Sequence, residues 1–241
     1  MSNTDTEYRF FTDADMDRIR EIAFMIPIFD DMIAKYRFQN VLDYGCGNGL
    51  YGIYLKEKTG CCLTGVDGSE YGLKQAEERG YDRTIPVDDF CSERLPIQLE
   101  TYDLVMLKDV LEHLLEPFFV LEEAVRILKG EGLCFIHIPN HFPIAYRIKF
   151  LFTNRIDTQN YFPESKEWNL PHIRFFTMQG LKEMFDKVGL TIVENYSDHF
   201  TTFCPIVSRL PLSRKFHRYM AKRYPTQFSY GYTFLCKKKA L

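Results

Sequence analysis

The sequence has no surplus of basic charge. Lys and Arg total 30 against 33 Asp and Glu, a formal net charge of -3, so the chain as a whole lacks the field of a non-specific nucleic-acid binder. No stretch approaches the ~18 consecutive apolar residues of a membrane-spanning helix. The start, MSNTDTEYRFFTDADMDRIR, is polar and acidic and lacks the basic-then-apolar order of a secretory leader. Disulfide scaffolds and structural zinc are disfavoured too: the 7 cysteines are odd in number and scattered, with no Cys-x-x-Cys pair and no His at zinc spacing. Reduced thiols in a soluble, cytoplasmic protein are the expectation. Internal repeats and low-complexity tracts are missing as well.

What is present is globular. A hydrophobic fraction of 46% and a charged fraction of 26% in 241 residues suit one α/β domain with a well-buried core. Residues 1–39 read as an N-terminal helical cap, with Met16, Ile19, Ile22, Ala23 and Ile26 near helical spacing and Pro27 expected to break or kink the helix. From Asn40 to Pro139 apolar strands alternate with single helices, the pattern of a parallel sheet wound by right-handed crossovers, a doubly wound α/β fold. The stretch PVDDF is read within the third strand, and the helix before the fifth strand is read through Gly130. Residues 140–171 are rich in aromatics and proline and form an insertion or lid. Residues 172–241 return to helix and strand around a basic stretch, 203–225, and Gly189 makes a plausible helix C-cap.

The stretch VLDYGCGNGLYG, Val41 to Gly52, places glycines between a strand and a helix, where the backbone can approach a nucleotide closely. It has two readings. From Gly47 it is G-x-G-x-x-G (Gly47, Gly49, Gly52), the dinucleotide fingerprint; from Asp43 it is D-x-G-x-G-x-G. Both predict an acidic residue about 20 positions on, at the tip of the second strand, to bind ribose hydroxyls. Asp67 stands there, so these two features leave NAD and a methyl-donor nucleotide both open.

Further segments carry a resemblance. With Asp43 inside the first strand, Asp88 in PVDDF, and YDLVMLKDVLEHLLEP at the fourth strand, the chain resembles the class I S-adenosylmethionine-dependent methyltransferases over roughly residues 40 to 195. The segments DVLEHL, VRILKGEG, IPN and HIRFFTMQGLKEMFDKVGL are similar to small-molecule members of the quinone-biosynthesis O-methyltransferase kind. The resemblance implies a Rossmann-like three-layer α/β/α sheet, mostly parallel with an antiparallel last strand. It also implies S-adenosylmethionine as cofactor, with S-adenosylhomocysteine as product. Asp43, Gly45, Cys46, Gly47 and Gly49 would surround the methionine end, with amides of the turn facing the cofactor. Asp67, Gly68 and Ser69 would hold the ribose, Asp88, Asp89 and Phe90 the adenine, and Leu107 and Lys108 would line the methionine chiefly through backbone atoms. Gly52 reads as a helix-packing glycine.

Methyl transfer is an in-line displacement in which holding donor and nucleophile together supplies much of the rate. A hydroxyl acceptor must also lose its proton, which points to histidine. His113, His172 and His141 are the candidate bases; Glu112 is read as structural and His137 as a core histidine. Phe142, Tyr146, Phe150, Phe152, Tyr161, Phe162 and Trp168 suit either a flat acceptor under a lid or the lid's own packing. Arg209, Arg214, Lys215, Arg218, Lys222 and Arg223 form a basic run in 205–224 that fits a solvated face or a contact with anionic lipid. A small-molecule acceptor is the expected partner. Two other functions remain: an NAD-dependent oxidoreductase, and a non-catalytic module that keeps the fold for cofactor or partner binding.

Overall fold

The structure, a computed structural model, describes residues 22–155, 171–201 and 213–239. In chain order the elements are α1 (Ile26–Lys35), β1 (Asn40–Tyr44), α2 (Leu50–Thr59), β2 (Cys62–Asp67), α3 (Glu70–Arg79), β3 (Arg83–Pro86), β4 (Tyr102–Lys108), α4 (Pro117–Ile127), β5 (Leu128–Pro139), α5 (Ile144–Thr153), α6 (Met178–Lys187), β6 (Leu190–Asn195), α7 (Ser213–Arg223), α8 (Pro225–Phe228) and β7 (Gly231–Lys238). The strands form one sheet in the order β3-β2-β1-β4-β5-β7-β6. Pairings from β3 to β5 are parallel, whereas β7 lies between β5 and β6 and runs antiparallel to both.

Because side chains alternate across a strand, each face of this sheet is apolar and each needs cover. One face, with Leu42, Val66, Val105, Leu107, Ile136 and Phe234, packs on Val120, Leu121, Ala124 and Ile127 of α4 and Leu181 and Phe185 of α6. The other, with Val41, Leu63, Leu104, Met106, Phe135 and Leu235, packs on α1, α2 and α3. The three-layer arrangement follows. In α1 the residues Ile28, Phe29 and Met32 are fully buried, worth about 1.5–3 kcal/mol each. That burial fixes the start of the described chain against the sheet.

Several boundaries differ from the sequence reading. At Pro27 the expected break is present: a tight turn over Ala23–Met25 separates Ile22 from α1, and Pro27 sits in the first turn of α1, the position where a missing N–H matters least. β3 ends at Pro86 rather than running through PVDDF; it is an edge strand, where proline is tolerated. The helix α4 stops at Ile127, and Leu128 already pairs with Tyr102 as the first residue of β5. Gly189 does follow a helix end in the left-handed region, with φ 78°. Met16, Ile19, Tyr161, Phe162, Trp168, Arg209 and the side chain of Arg214 lie outside the described residues.

Behind the first turn of α2 the packing is close. Asp43 is buried in β1, and its Oδ2 accepts a 2.7 Å hydrogen bond from the Tyr81 hydroxyl. Gly52 faces this pair: a Cβ there would overlap the Tyr81 hydroxyl and lie 2.8 Å from Asp43 Oδ2. Gly52→Ala is therefore expected to lower stability by about 1–3 kcal/mol through overpacking, read as a fall in Tm. An unchanged Tm would show that Tyr81 is not fixed by Asp43.

Candidate functional site

The site is built at the carboxyl ends of β1, β2 and β4, where open α/β sheets bind ligands. Gly45, Gly47 and Gly49 have φ of 83°, 50° and 79°, a region costly for residues with a Cβ. At Gly45 a Cβ would lie 2.5 Å from Val110 Cγ2. The turn satisfies its own amides. Gly45 and Cys46 donate to the Val66 carbonyl, Gly49 donates to the Cys46 carbonyl, and Gly47 donates to Asp67 Oδ2 at 2.7 Å. The glycines supply close approach, and in this structure their N–H groups are engaged within the protein. Cys46 is buried, and burial raises its thiol pKa above the ordinary thiol range.

Asp67 ties two turns together. Its second oxygen accepts from the Ser69 amide at 2.9 Å, and the Ser69 hydroxyl caps α3 by accepting from the Gly72 amide. Each carboxylate oxygen keeps a further lone pair for a diol. A cleft of about 400 Å³ opens here, lined by Gly45, Asp67, Gly68, Ser69, Phe90, Asp109, Val110, His113 and Leu114. A larger cavity of about 650 Å³ lies near the opposite ends of the strands, lined by residues such as Glu100, Lys187 and Lys238. It contains none of the candidate residues, so the smaller cleft carries the chemistry.

On the far wall Phe90 packs against Tyr44, ring centroids 5.5 Å apart. The two neighbouring aspartates separate by role. Asp89 accepts from the Cys91 amide at 2.8 Å and the Ser92 hydroxyl at 2.5 Å, and the Ser92 bond is the main reason its carboxyl titrates below the ordinary range. It holds the turn. Asp88 is exposed just past β3 and is the freer of the two for a ligand.

At the end of β4, Leu107 points into the core, while Lys108 turns inward with its side chain 10% exposed and its ammonium paired with Asp109. The Asp109 backbone takes φ 54°, a left-handed conformation that aspartate tolerates better than most, and its amide donates to the His137 carbonyl. Asp109 also lies 3.5 Å from His137 Nε2. Burial opposes its ionisation, yet the charges of His137 and Lys108 prevail and hold its pKa below the ordinary value. Asp43 is raised to about 6, by burial against the opposing Tyr81 hydrogen bond. His137 is the core histidine expected, hydrogen-bonded to Thr233 Oγ1 at 2.7 Å.

The fold brings all three candidate bases together. His141 Nε2 and His172 Nδ1 are 2.8 Å apart, and the His113 and His172 rings are 4.8 Å apart. His113 Nδ1 lies 3.1 Å from the Pro171 carbonyl. A carbonyl only accepts, so Nδ1 carries the proton and Nε2 holds a free lone pair. Burial lowers the pKa of both His141 and His172 to about 4; both are neutral at pH 7. Beneath them Glu112 is fully buried and neither carboxylate oxygen has a hydrogen-bond partner. Burial, then the Asp109 charge, raises its pKa to about 8. Ligand atoms of Glu112, His113 and His172 lie within 4.8 Å of one another, a grouping the sequence spacing did not reveal.

A seven-stranded sheet in this order, with β7 inserted antiparallel and a glycine turn pinned to a carboxylate at the end of β2, defines the Rossmann-like methyltransferase class. The chain belongs to the family described as "Methyltransferase domain", whose profile matches residues 14–195. An S-adenosylmethionine-dependent methyltransferase from Archaeoglobus fulgidus superposes with a TM-score of 0.55 at 21% identity, covering 97% of this chain and 98% of that one. The ubiquinone biosynthesis O-methyltransferase of Actinobacillus pleuropneumoniae is 28% identical over 117 residues, 46% of this chain and 50% of that protein. Its namesake from Nitrosomonas europaea is 31% identical over 124 residues, 48% and 51% of the two chains. The chain thus spans about half the length of the curated relatives it matches. The dinucleotide reading loses its geometry as well, since Gly52 faces Tyr81 and Asp43.

Glu112 makes stability depend on pH. Its folded pKa lies above the ordinary 4.5, so its contribution is complete below about pH 4.5 and is lost as pH rises through about 8. In metal-free buffer Glu112→Gln is expected to match the wild type at pH 5 and to exceed it in Tm at pH 9. Parallel Tm curves would clear Glu112 of that effect.

Proposed function

We propose that this chain is an S-adenosylmethionine-dependent methyltransferase that methylates a hydroxyl oxygen of a small molecule. The observation that carries the oxygen is the oriented His113, whose Nδ1 is held by the Pro171 carbonyl at the edge of the cleft. Asp67 would accept the ribose hydroxyls, Asp88 and Phe90 would meet the adenine, and the turn from Gly45 to Gly49 would admit the methionine end. As the acceptor oxygen attacks, its proton passes to His113 Nε2. S-adenosylmethionine, held by these residues, would supply an activated methyl group to that oxygen. Neutral His141 and His172 add no charge against the imidazolium that forms. The relatives are O-methyltransferases by name, which supports the same acceptor atom.

The insertion after β5 supports a cover over this site. None of the residues of α5 is buried, and Phe142 and His141 reach Phe175 beside the histidine cluster.

A second reading is favoured by the unpartnered carboxylate of Glu112. A divalent cation with nitrogen and oxygen preference would take Glu112, His113 and His172 as ligands and would acidify an acceptor hydroxyl directly.

Calorimetric titration with S-adenosylmethionine, S-adenosylhomocysteine and NAD tests the cofactor. Micromolar binding of the first two and none of NAD is expected; NAD alone would sink the assignment. With a turned-over hydroxyl acceptor, His113→Asn is expected to lower kcat about 10²-fold or more and leave cofactor affinity unchanged. Loss of wild-type turnover on chelation, restored by added metal, would favour the cation instead. Binding without turnover of any acceptor would support a non-catalytic module.

The basic run supports a contact with anionic lipid. In α7 the cations Lys215, Arg218, Lys222 and Arg223 accompany exposed Phe216 and Tyr219 without an acidic residue. Among the described residues no helix is long and apolar enough to cross a membrane. Flotation with phosphatidylglycerol vesicles, but not with phosphatidylcholine vesicles, is the expected result; equal recovery with both would leave α7 a solvated face.

A further inference from the structure

The cofactor assigned above carries a ribose diol at one end and an α-amino carboxylate at the other. Asp67 answers the diol, but the other end raises an electrostatic difficulty. Asp109 lines the cleft and Asp43 is buried in β1 behind the glycine turn; both suit the cationic sulfonium and ammonium and repel the carboxylate. A carboxylate placed there needs a compensating donor.

Lys108 is paired with Asp109, which lines the cleft. The residue ends β4, next to β1 in the sheet, and its ammonium lies 4.1 Å from the centre of the Tyr51 ring and 5.8 Å from that of Phe24. Tyr51 belongs to the first turn of α2, two residues past Gly49. The ammonium therefore stands beside the glycine turn, on the side away from Phe90. Phe24 in turn packs edge-on against Tyr51 and Phe200, with ring centroids 6.2 and 5.5 Å away. These rings shield the charge from water while their faces favour a cation. Burial works against the charge, but Asp109 and Tyr51 outweigh it and keep the Lys108 pKa above its ordinary value. An ammonium has three N–H donors. One faces Asp109 and one Tyr51, which leaves the third.

We propose that the Lys108 side chain, held between Asp109 and the rings of Tyr51 and Phe24, recognises the methionine carboxylate of the cofactor. Lys108 is then a specificity residue acting through its ammonium, where the resemblance implied contacts chiefly through backbone atoms. The inference rests on the methyl-donor reading of the same site.

The test compares ligands with and without the amino-acid end. S-adenosylhomocysteine has the carboxylate; 5′-methylthioadenosine has the same nucleoside thioether and lacks it. Both are titrated calorimetrically into the wild type, Lys108→Met and Lys108→Arg. Lys108→Met is expected to weaken S-adenosylhomocysteine at least about tenfold and to change 5′-methylthioadenosine less than about twofold, with Lys108→Arg recovering much of the loss. A parallel loss of both ligands would overturn the proposal and make Lys108 a structural strut. An unchanged affinity for S-adenosylhomocysteine would overturn it too. If Lys108→Met does not fold, Lys108→Gln takes its place: a selective loss for S-adenosylhomocysteine supports the contact, and a parallel loss of both ligands or no loss refutes it. A wild type that binds neither ligand would instead remove the methyl-donor reading itself.

Discussion

The site depends on one constraint: the turn after β1 must be open to a ligand and yet leave no buried amide unsatisfied. Three consecutive odd positions, Gly45, Gly47 and Gly49, take positive φ, and the freed amides close on Val66, Cys46 and Asp67. An orphaned buried amide costs about 1–3 kcal/mol, so this closure is what makes the curve stable without a ligand. Asp67 is central because it reaches the β1 turn and the α3 cap together. The spacing between the glycine turn and the acidic residue is thus a structural link before it is a binding one.

Much of this was legible in the sequence. Strand and helix periods gave the order of elements, the glycines marked the turn, and Asp67 fell where a β2 carboxylate belongs. What escaped was set by tertiary contacts. Tyr81 follows Gly80 with no local mark of its role, and only the folded chain brings its hydroxyl to Asp43. Asp109 carries a left-handed backbone that no residue pattern announces. The partners of His113 are Pro171 and His172, far along the chain, and their approach depends on Glu112, whose carbonyl accepts the amides of Ile173 and Arg174. The ends of β3 and β5 were misplaced because pairing with neighbours, not propensity, decides where a strand stops.

Charge is divided across the cleft. Toward β1 and β4 lie Asp43, Asp109 and Lys108, with the Lys108 charge favouring ionisation of both carboxyls. Beyond them stand histidines kept neutral by burial and a glutamic acid held back from ionising by burial and by Asp109. The first group suits a zwitterionic, positively charged ligand. The second can receive a proton without building repulsion, since a neutral imidazole accepts charge where a charged one would refuse it.

The position of β7 has a consequence for how the molecule is made. β5 and β6 are not neighbours; β7 separates them and pairs with both. While the chain is emerging from the ribosome, β1 to β5 can pair with one another, but β5 presents an open edge until β7 is synthesised. That edge includes the strongly apolar run Cys134 to Ile138, the kind of unpaired strand that invites aggregation. β6 meanwhile has no strand of its own sheet to join. Completion of the sheet waits on β7, which pairs with both neighbours, a non-local step of the kind that slows folding.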